Sequence, residues 1–257
     1  MFIYYLIVTF IFGTVLGSFY NVVGYRLPKN ESLITPSSHC PNCNHKLGPS
    51  ELIPILSYVF QRGKCKNCKQ KISLFYPVFE LATGLLFAAS YIIFGYNIDF
   101  ILSITFISIL LIVIISDYQT MIIPDEVLIV GGILLVIELI IKNGLNVWVN
   151  ILNGLISFII MYLIKKLGDF LFKKESMGGG DIKLMSLFGL VLGWQLSIIS
   201  IFIASFIGLP ISLYILYKNK SDIIPFGPFL SISAIILWLL QININDVLNL
   251  LIMMMLK

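Results

Sequence analysis

Two aspartates and four cysteines stand out in a chain otherwise poor in polar chemistry. Asp117 ends a run of 17 uncharged residues, Phe100–Ser116. Asp181 closes the glycine run Gly178-Gly179-Gly180 and opens another apolar stretch. A carboxylate at the edge of a bilayer is costly to desolvate, so each needs a reason to be there. Asp117 falls at the C-terminal end of its predicted helix, where the helix dipole disfavours negative charge. Asp125 has a simpler role. It follows Pro124 and sits with Glu126 in the first turn of the next predicted helix, where the dipole favours acids. Asp181 can be read as a helix cap after a flexible linker, or as an acid reached by an extended substrate, since glycines admit close backbone approach. Two neighbouring carboxylates cannot both ionise easily, so one keeps a proton. The ionised member can then draw a proton from water while the other donates to a carbonyl oxygen, which is aspartic protease chemistry. A phosphate-binding loop is disfavoured, since it needs Gly-Lys-Ser/Thr after the spacer and this chain has an acid there.

The cysteines read Cys40-Pro-Asn-Cys43 and Cys65-Lys-Asn-Cys68. Two residues between cysteines let both sulfurs face one ion, and two such pairs complete a tetrahedral zinc site with no open position for a substrate water. The predicted role is therefore structural. A loop this small has little core of its own, and the metal would supply much of its folding free energy. Disulfides are the competing reading, disfavoured if the loop is cytoplasmic. His39 and His45 flank the first pair and are read as solvated loop residues.

The elements that must position these groups are membrane helices. The chain is 58% apolar and 12% charged, with a mean hydropathy of +0.98. Apolar stretches run Phe2–Phe19, Tyr76–Tyr96, Phe100–Ser116, Val127–Ile141, Val147–Ile164, Leu184–Leu216 and Ile223–Leu240, and Leu184–Leu216 is long enough for two crossings. The expectation is an all-α, polytopic transmembrane helical bundle of about eight helices with a small cytoplasmic zinc-binding loop domain. The first stretch lacks a cleavage region and is read as a retained helix. The predicted division is a first transmembrane helix at 1–26, a zinc-binding domain at 27–75 and a transmembrane domain at 76–257. The tail Gln241–Lys257 is left as a ninth membrane segment or an interfacial helix.

Lys and Arg concentrate in three connections. Eight lie between the first two helices, five at Lys165, Lys166, Lys173, Lys174 and Lys183, and two at Lys218 and Lys220. The positive-inside rule puts these connections, and with them both aspartates, on the cytoplasmic side. The net charge of +4 fits loops beside anionic lipid. No arginine-rich tract or aromatic interleaving argues for nucleic acid. A thiol oxidoreductase using the cysteine pairs, or a transporter lined by acids, are readings from other classes. Both are weakened because the acids sit at one face with no partner acids opposite.

The Asp-x6-Pro-Asp stretch at 117–125 and the Gly-x-Gly-Asp stretch at 178–181 resemble the two catalytic motifs of bacterial type IV prepilin peptidases, which are GxGD-type intramembrane aspartyl proteases. The run from Gly17 to Pro28, the paired cysteines, and Ile72–Glu80 are similar to that family's N-terminal signatures. The resemblance extends from about residue 13 to about 230. It implies cleavage of the leader of type IV prepilins or pseudopilins after a glycine, at the cytoplasmic face of the bacterial inner membrane. It also implies N-methylation of the new N-terminus with S-adenosylmethionine; a peptidase without methylation is the alternative. It assigns catalysis to Asp117 and Asp181, and zinc to Cys40, Cys43, Cys65 and Cys68. For the methyl donor, motif match alone points to Gly17, Ser18, Asn21, Arg26 and Glu80. Gln119 stands where many members carry a second acid, which leaves Asp117 as the first catalytic aspartate.

Overall fold

The computed structural model describes residues 1–219 and 224–246. Among them are helices α1 (Phe2–Arg26), α2 (Leu56–Phe60), α3 (Phe75–Phe94), α4 (Ile98–Thr120), α5 (Asp125–Asn143), α6 (Val147–Phe172), α7 (Gly179–Leu192), α8 (Trp194–Asn219) and α9 (Gly227–Leu239). The described β-pairing is limited to two isolated bridges. The all-α expectation holds, and eight of these helices match the expected number. Five stretches are long and apolar enough to cross a membrane, and one of them, 125–172, holds both α5 and α6. Helices α7 and α9 are shorter, at 14 and 13 residues. The Leu184–Leu216 stretch does divide in two, with Gly193 at φ 84 between α7 and α8. Most of the tail at 241–257, together with Lys220, lies outside the described residues.

Contacts divide the chain into two compact units, Met1–Tyr96 and Asn97–Lys257. The polar loop ends where α3 begins, but the packing boundary falls at the far end of α3. The reason is visible in the α1–α3 seam. The buried face of α1 carries Thr9, Gly13, Gly17, Asn21 and Gly24, while Ile3, Ile7, Ile11, Val15 and Phe19 are exposed. Small residues inside and large apolar ones outside are the pattern of helices that pack against each other in lipid. A Cβ on Gly13 would meet Gly84 Cα at 2.9 Å, and one on Gly17 would meet Thr83 Oγ1 at 2.7 Å. Backbone approach this close fixes α3 to α1.

In the second unit α4 is the most buried of the membrane-length stretches, with Phe106, Ile107 and Leu110 fully buried. It packs on α5 and α9, α7 packs on α5, α6 and α8, and α8 packs on α9. Phe106 stands edge-on to both Phe188 of α7 and Trp238 of α9, with ring centroids 6.1 and 6.2 Å away. Thr105 donates to buried Glu138 of α5 at 2.6 Å, and Trp238 Nε1 donates to Ser103 at 2.9 Å. Polar groups buried in an apolar bundle are costly unless paired, so these bonds also fix helix register. Helix α6 runs to Phe172, so Lys165 and Lys166 belong to its last turns rather than to a loop, and Lys183 belongs to α7.

Candidate active site

Asp117 lies in the last turn of α4 and Asp181 is the third residue of α7. Their exposures are 6% and 7%. The glycine run is not a linker. Gly178 is the N-cap and Gly179 and Gly180 are the first helical residues, so the helix itself carries Asp181. Nor does Asp181 cap it, because its Oδ1 is buried without a hydrogen-bond partner among the described residues.

Helix α4 stops just past Asp117 because Met121 takes a left-handed conformation, φ 57, and its N–H closes on the Asp117 carbonyl at 2.9 Å. The chain then turns back, with Ser116 Oγ donating to the Ile122 carbonyl at 2.5 Å. This turn carries Ile123 to the centre of the site. A Cβ on Gly180 would lie 2.8 Å from Ile123 Cβ, and one on Gly227 would lie 3.3 Å from Ile123 Cδ1. Ile123 therefore touches both the glycine turn of α7 and the start of α9.

The dipole problem at Asp117 is solved by a third helix. Gly227, the first residue of α9, donates its N–H to Asp117 Oδ2 at 3.0 Å. First-turn N–H groups have no intrahelical partner, and a helix N-terminus favours an anion. The α9 end thus offsets the unfavourable end of α4. A Cβ on Gly227 would lie 2.6 Å from the same oxygen, so a larger residue there would have to displace the carboxylate or the helix start. Sequence reasoning missed Gly227 and Ile123. The available signal for Gly227 was Phe226-Gly227-Pro228, a helix start with proline in its first turn. Asp125 has the predicted first-turn position in α5. It also binds Lys183 of α7 through both carboxylate oxygens at 2.7 Å, which ties the two helix starts together.

The first unit gathers the cysteines. All four Sγ atoms lie within 4.8 Å of one another. Cys40 and Cys68 are 3.8 Å apart, and Cys43 and Cys65 are 4.0 Å apart. Four sulfurs at the usual zinc–thiolate distance have edges of about 3.8 Å, so this cluster fits a tetrahedral ion. The two pairs are built alike. Cys40 N–H bonds the His45 carbonyl at 2.9 Å, and Cys65 N–H bonds the Gln70 carbonyl at 2.8 Å. Asn44 and Lys69, each following the second cysteine of its pair, take φ 55 and 60. The His45 N–H lowers the Cys43 thiol to about 7. At Cys68 the Gln70 N–H acts in the same direction, but burial and the neighbouring sulfurs push the thiol up to about 11. Crowded sulfur of this kind is what a divalent ion relieves. His45 is turned away to Glu51 at 3.2 Å, and His39 to the Ser37 carbonyl at 3.0 Å. The Gly48 N–H and His45 hold the Glu51 carboxyl below the usual range.

The five residues matched to a methyl donor lie on the α1–α3 pair. Most are already engaged. Gly17 packs against Thr83 and Glu80. Ser18 bonds Glu80, and Glu80 Oε2 accepts the Ile55 N–H at 2.7 Å. Arg26 donates to the Ser32 and Pro36 carbonyls at 2.9 and 2.7 Å. Asn21 donates to the Gly17 carbonyl at 3.1 Å, and its Oδ1 is buried without a partner among the described residues. These groups hold the loop on the helix pair. Among the five, the buried side-chain acceptor left without a partner among the described residues is Asn21 Oδ1.

Comparison with known proteins bears on both units. Residues 11–94 match the bacterial peptidase A24 N-terminal domain, and residues 104–213 match the type IV leader peptidase family. A prepilin leader peptidase/N-methyltransferase of Bacillus subtilis (strain 168) is 37% identical over 235 residues, covering 90% of this chain and 93% of that protein. Proteins of the same description from Pseudomonas putida and Pseudomonas aeruginosa are 30% and 32% identical over 266 residues. The first alignment covers 91% of both chains; the second covers 90% of this chain and 88% of the relative. No solved structure matches the chain. Its two family matches, in the order of its two compact units, and its relatives over nine-tenths of its length place this chain in the type IV leader peptidase family.

Proposed function

We propose that Asp117 and Asp181 are the catalytic pair with which this membrane enzyme cuts the leader from type IV prepilins or pseudopilins. One carboxylate takes a proton from a water held between them. The other, protonated, donates to the oxygen of the scissile carbonyl, and the roles exchange as the amine leaves. The observation that carries this reading is the geometry around Ile123, whose side chain lies against Gly180 beside Asp181 and against Gly227, which holds Asp117, so that helix ends distant in sequence present two buried carboxylates around one residue. The unpartnered Oδ1 of Asp181 suits a water, and the Gly227 N–H keeps Asp117 Oδ2 oriented. Gly179 has no atom within 4 Å of where a Cβ would stand, which leaves room for an extended backbone.

Residues 27–75 form the domain associated with methylation, with Cys40, Cys43, Cys65 and Cys68 holding a structural zinc. Zinc supplies folding free energy there and no reactive position. S-adenosylmethionine is the methyl donor, and Asn21 is the candidate with an uncommitted buried acceptor. The basic connections between helices support a cytoplasmic active-site face in the bacterial inner membrane.

The test is cleavage of a purified prepilin, with S-adenosylmethionine supplied, by wild type, Asp117→Asn and Asp181→Asn, with mass spectrometry of the product. Asparagine keeps the size but cannot exchange the proton. Loss of cleavage in both variants is expected, with the wild-type product carrying one extra methyl mass. Near wild-type cleavage by either variant overturns the pair. A mature product without the methyl leaves a peptidase alone.

A further inference from the structure

The segment 52–60 has a face that neither the cysteine cluster nor the helix pair uses. Leu52, Ile53, Leu56, Val59 and Phe60 are exposed at 45, 47, 52, 62 and 81%. Leu56, Val59 and Phe60 lie on α2, and Leu52 and Ile53 on the turn that leads into it. The inward side is committed, since Tyr58 closes on the turn at Gly63, where a Cβ would meet its hydroxyl at 2.7 Å. Immediately after the stripe come Arg62, Lys64, Lys66 and Lys69, all exposed. A cleft of about 570 Å3 there is lined by Ile53 and Phe60 and by the four cations, with Glu51 and Cys65 also in its wall.

Where this face sits is fixed within the first unit. Glu80 Oε2 takes the Ile55 N–H at 2.7 Å, which holds the base of α2 against α3. Ile55 is held there in an unusual backbone conformation, φ 61. Glu80 is the sixth residue of α3, so α2 is anchored about 7.5 Å inside the start of a helix long and apolar enough to cross a membrane. The same helix ends carry half-exposed Tyr25 and Tyr76, with Lys29 Nζ 3.4 Å from the Tyr25 ring centroid. Aromatic rings and cations at helix ends mark the level of the headgroups. A soluble module could not leave five large apolar side chains on one short face at this level without a partner.

We propose that residues 52–69 form an interfacial lipid-binding surface. The Leu52–Phe60 stripe enters the boundary between headgroups and acyl chains, and Arg62, Lys64, Lys66 and Lys69 hold the phosphates of anionic phospholipids. Apolar insertion beside a basic cluster is the combination that binds anionic membranes. Through the Ile55–Glu80 bond, this surface would also set the height of the cysteine module over the α1–α3 pair.

The test uses the full-length protein in lipid nanodiscs with the substitution Phe60→Trp, the three native tryptophans of the parent giving the baseline. The added indole should be quenched severalfold more by lipids brominated near the carbonyl end of the acyl chain than by aqueous iodide. Replacing brominated phosphatidylcholine with brominated phosphatidylglycerol should raise that quenching. Raised salt, or Gln at all four cationic positions, should remove the increase. The salt arm decides the electrostatic part even if the fourfold variant loses its zinc. An indole quenched by iodide and not by lipid overturns the proposal. So does one shielded from both quenchers, which would mean that the stripe is covered by protein. Quenching equal in both lipids, and unmoved by salt, overturns the role of the cations.

Discussion

The cysteine module and the aspartate pair each crowd groups that become anions, and they handle the repulsion in opposite ways. Four thiols within 4.8 Å of one another form a set that a divalent cation can neutralise. They are placed by two short turns of the same design, each closed by its own backbone hydrogen bonds. The aspartates make no such local unit. They are 64 positions apart, on the ends of two different helices; the start of a third helix donates to Asp117, and in the proposed reaction the two share a proton. The module is local and, with the proposed zinc, conditional on an ion. The pair is non-local and conditional on the packing of the bundle. A metal suits a rigid, closed structural site; a proton that can change owners suits catalysis.

This contrast can be broken most directly by separating the two activities. Asp117→Asn and Asp181→Asn should each lower prepilin cleavage by about 10²–10⁴-fold or more. Both variants should still methylate a pilin supplied already cleaved. Loss of methyl transfer in that assay would show that the two units are not functionally separable. The converse disruption is the double substitution Cys43→Ser with Cys65→Ser, or chelation of the wild type. Metal analysis should show zinc falling from about one per chain to near zero, and residues 39–71 should become open to proteolysis, since the site's binding energy is folding energy. Acid should release the metal in the same way, because the ligands are thiolates. Cleavage of the prepilin should survive these treatments far better than methylation does.

Smaller changes sharpen the comparison. Gly227→Ala places a methyl against Asp117 Oδ2 and displaces either the carboxylate or the start of α9. Displacement of a reacting group by about 1 Å costs on the order of 10²-fold, so cleavage kinetics should show a fall in kcat with methylation untouched. Lys183→Met removes the bond to Asp125. Both partners are about half exposed, with side-chain values of 51% and 55%. An exposed pair contributes up to about 1 kcal/mol, so cleavage should change by at most about fivefold. A larger loss would make Lys183 part of the catalytic machinery.

Legibility in the sequence followed locality. The Cys-x-x-Cys pairs needed only their spacing, because each knuckle is a turn of six residues. The apolar stretches gave eight helices, because length and hydropathy alone decide what can span a bilayer. The ends were less accurate. Helix α6 ran past its last apolar residues, carrying Lys165 and Lys166 with it, because charged side chains are compatible with a helix once it leaves the lipid. The glycine run read equally as linker or site; only packing against Ile123 made it the first turn of α7. Arg26 and Glu80 matched family signatures, but the motif did not disclose that both are engaged with backbone groups of the intervening loop.

Sequence by itself determined that this is an all-helical membrane protein with a four-cysteine module and two acids at helix ends, because composition, spacing and the cost of charge in lipid are local properties. It also posed the problem of Asp117, a negative charge at the wrong end of its helix. The answer lies 110 positions further on, in a glycine N–H at the start of α9, outside the segments matched by either family. Only the tertiary structure could supply it. A helix end is an electrostatic resource for whatever it points at, and where it points is decided by how the bundle packs.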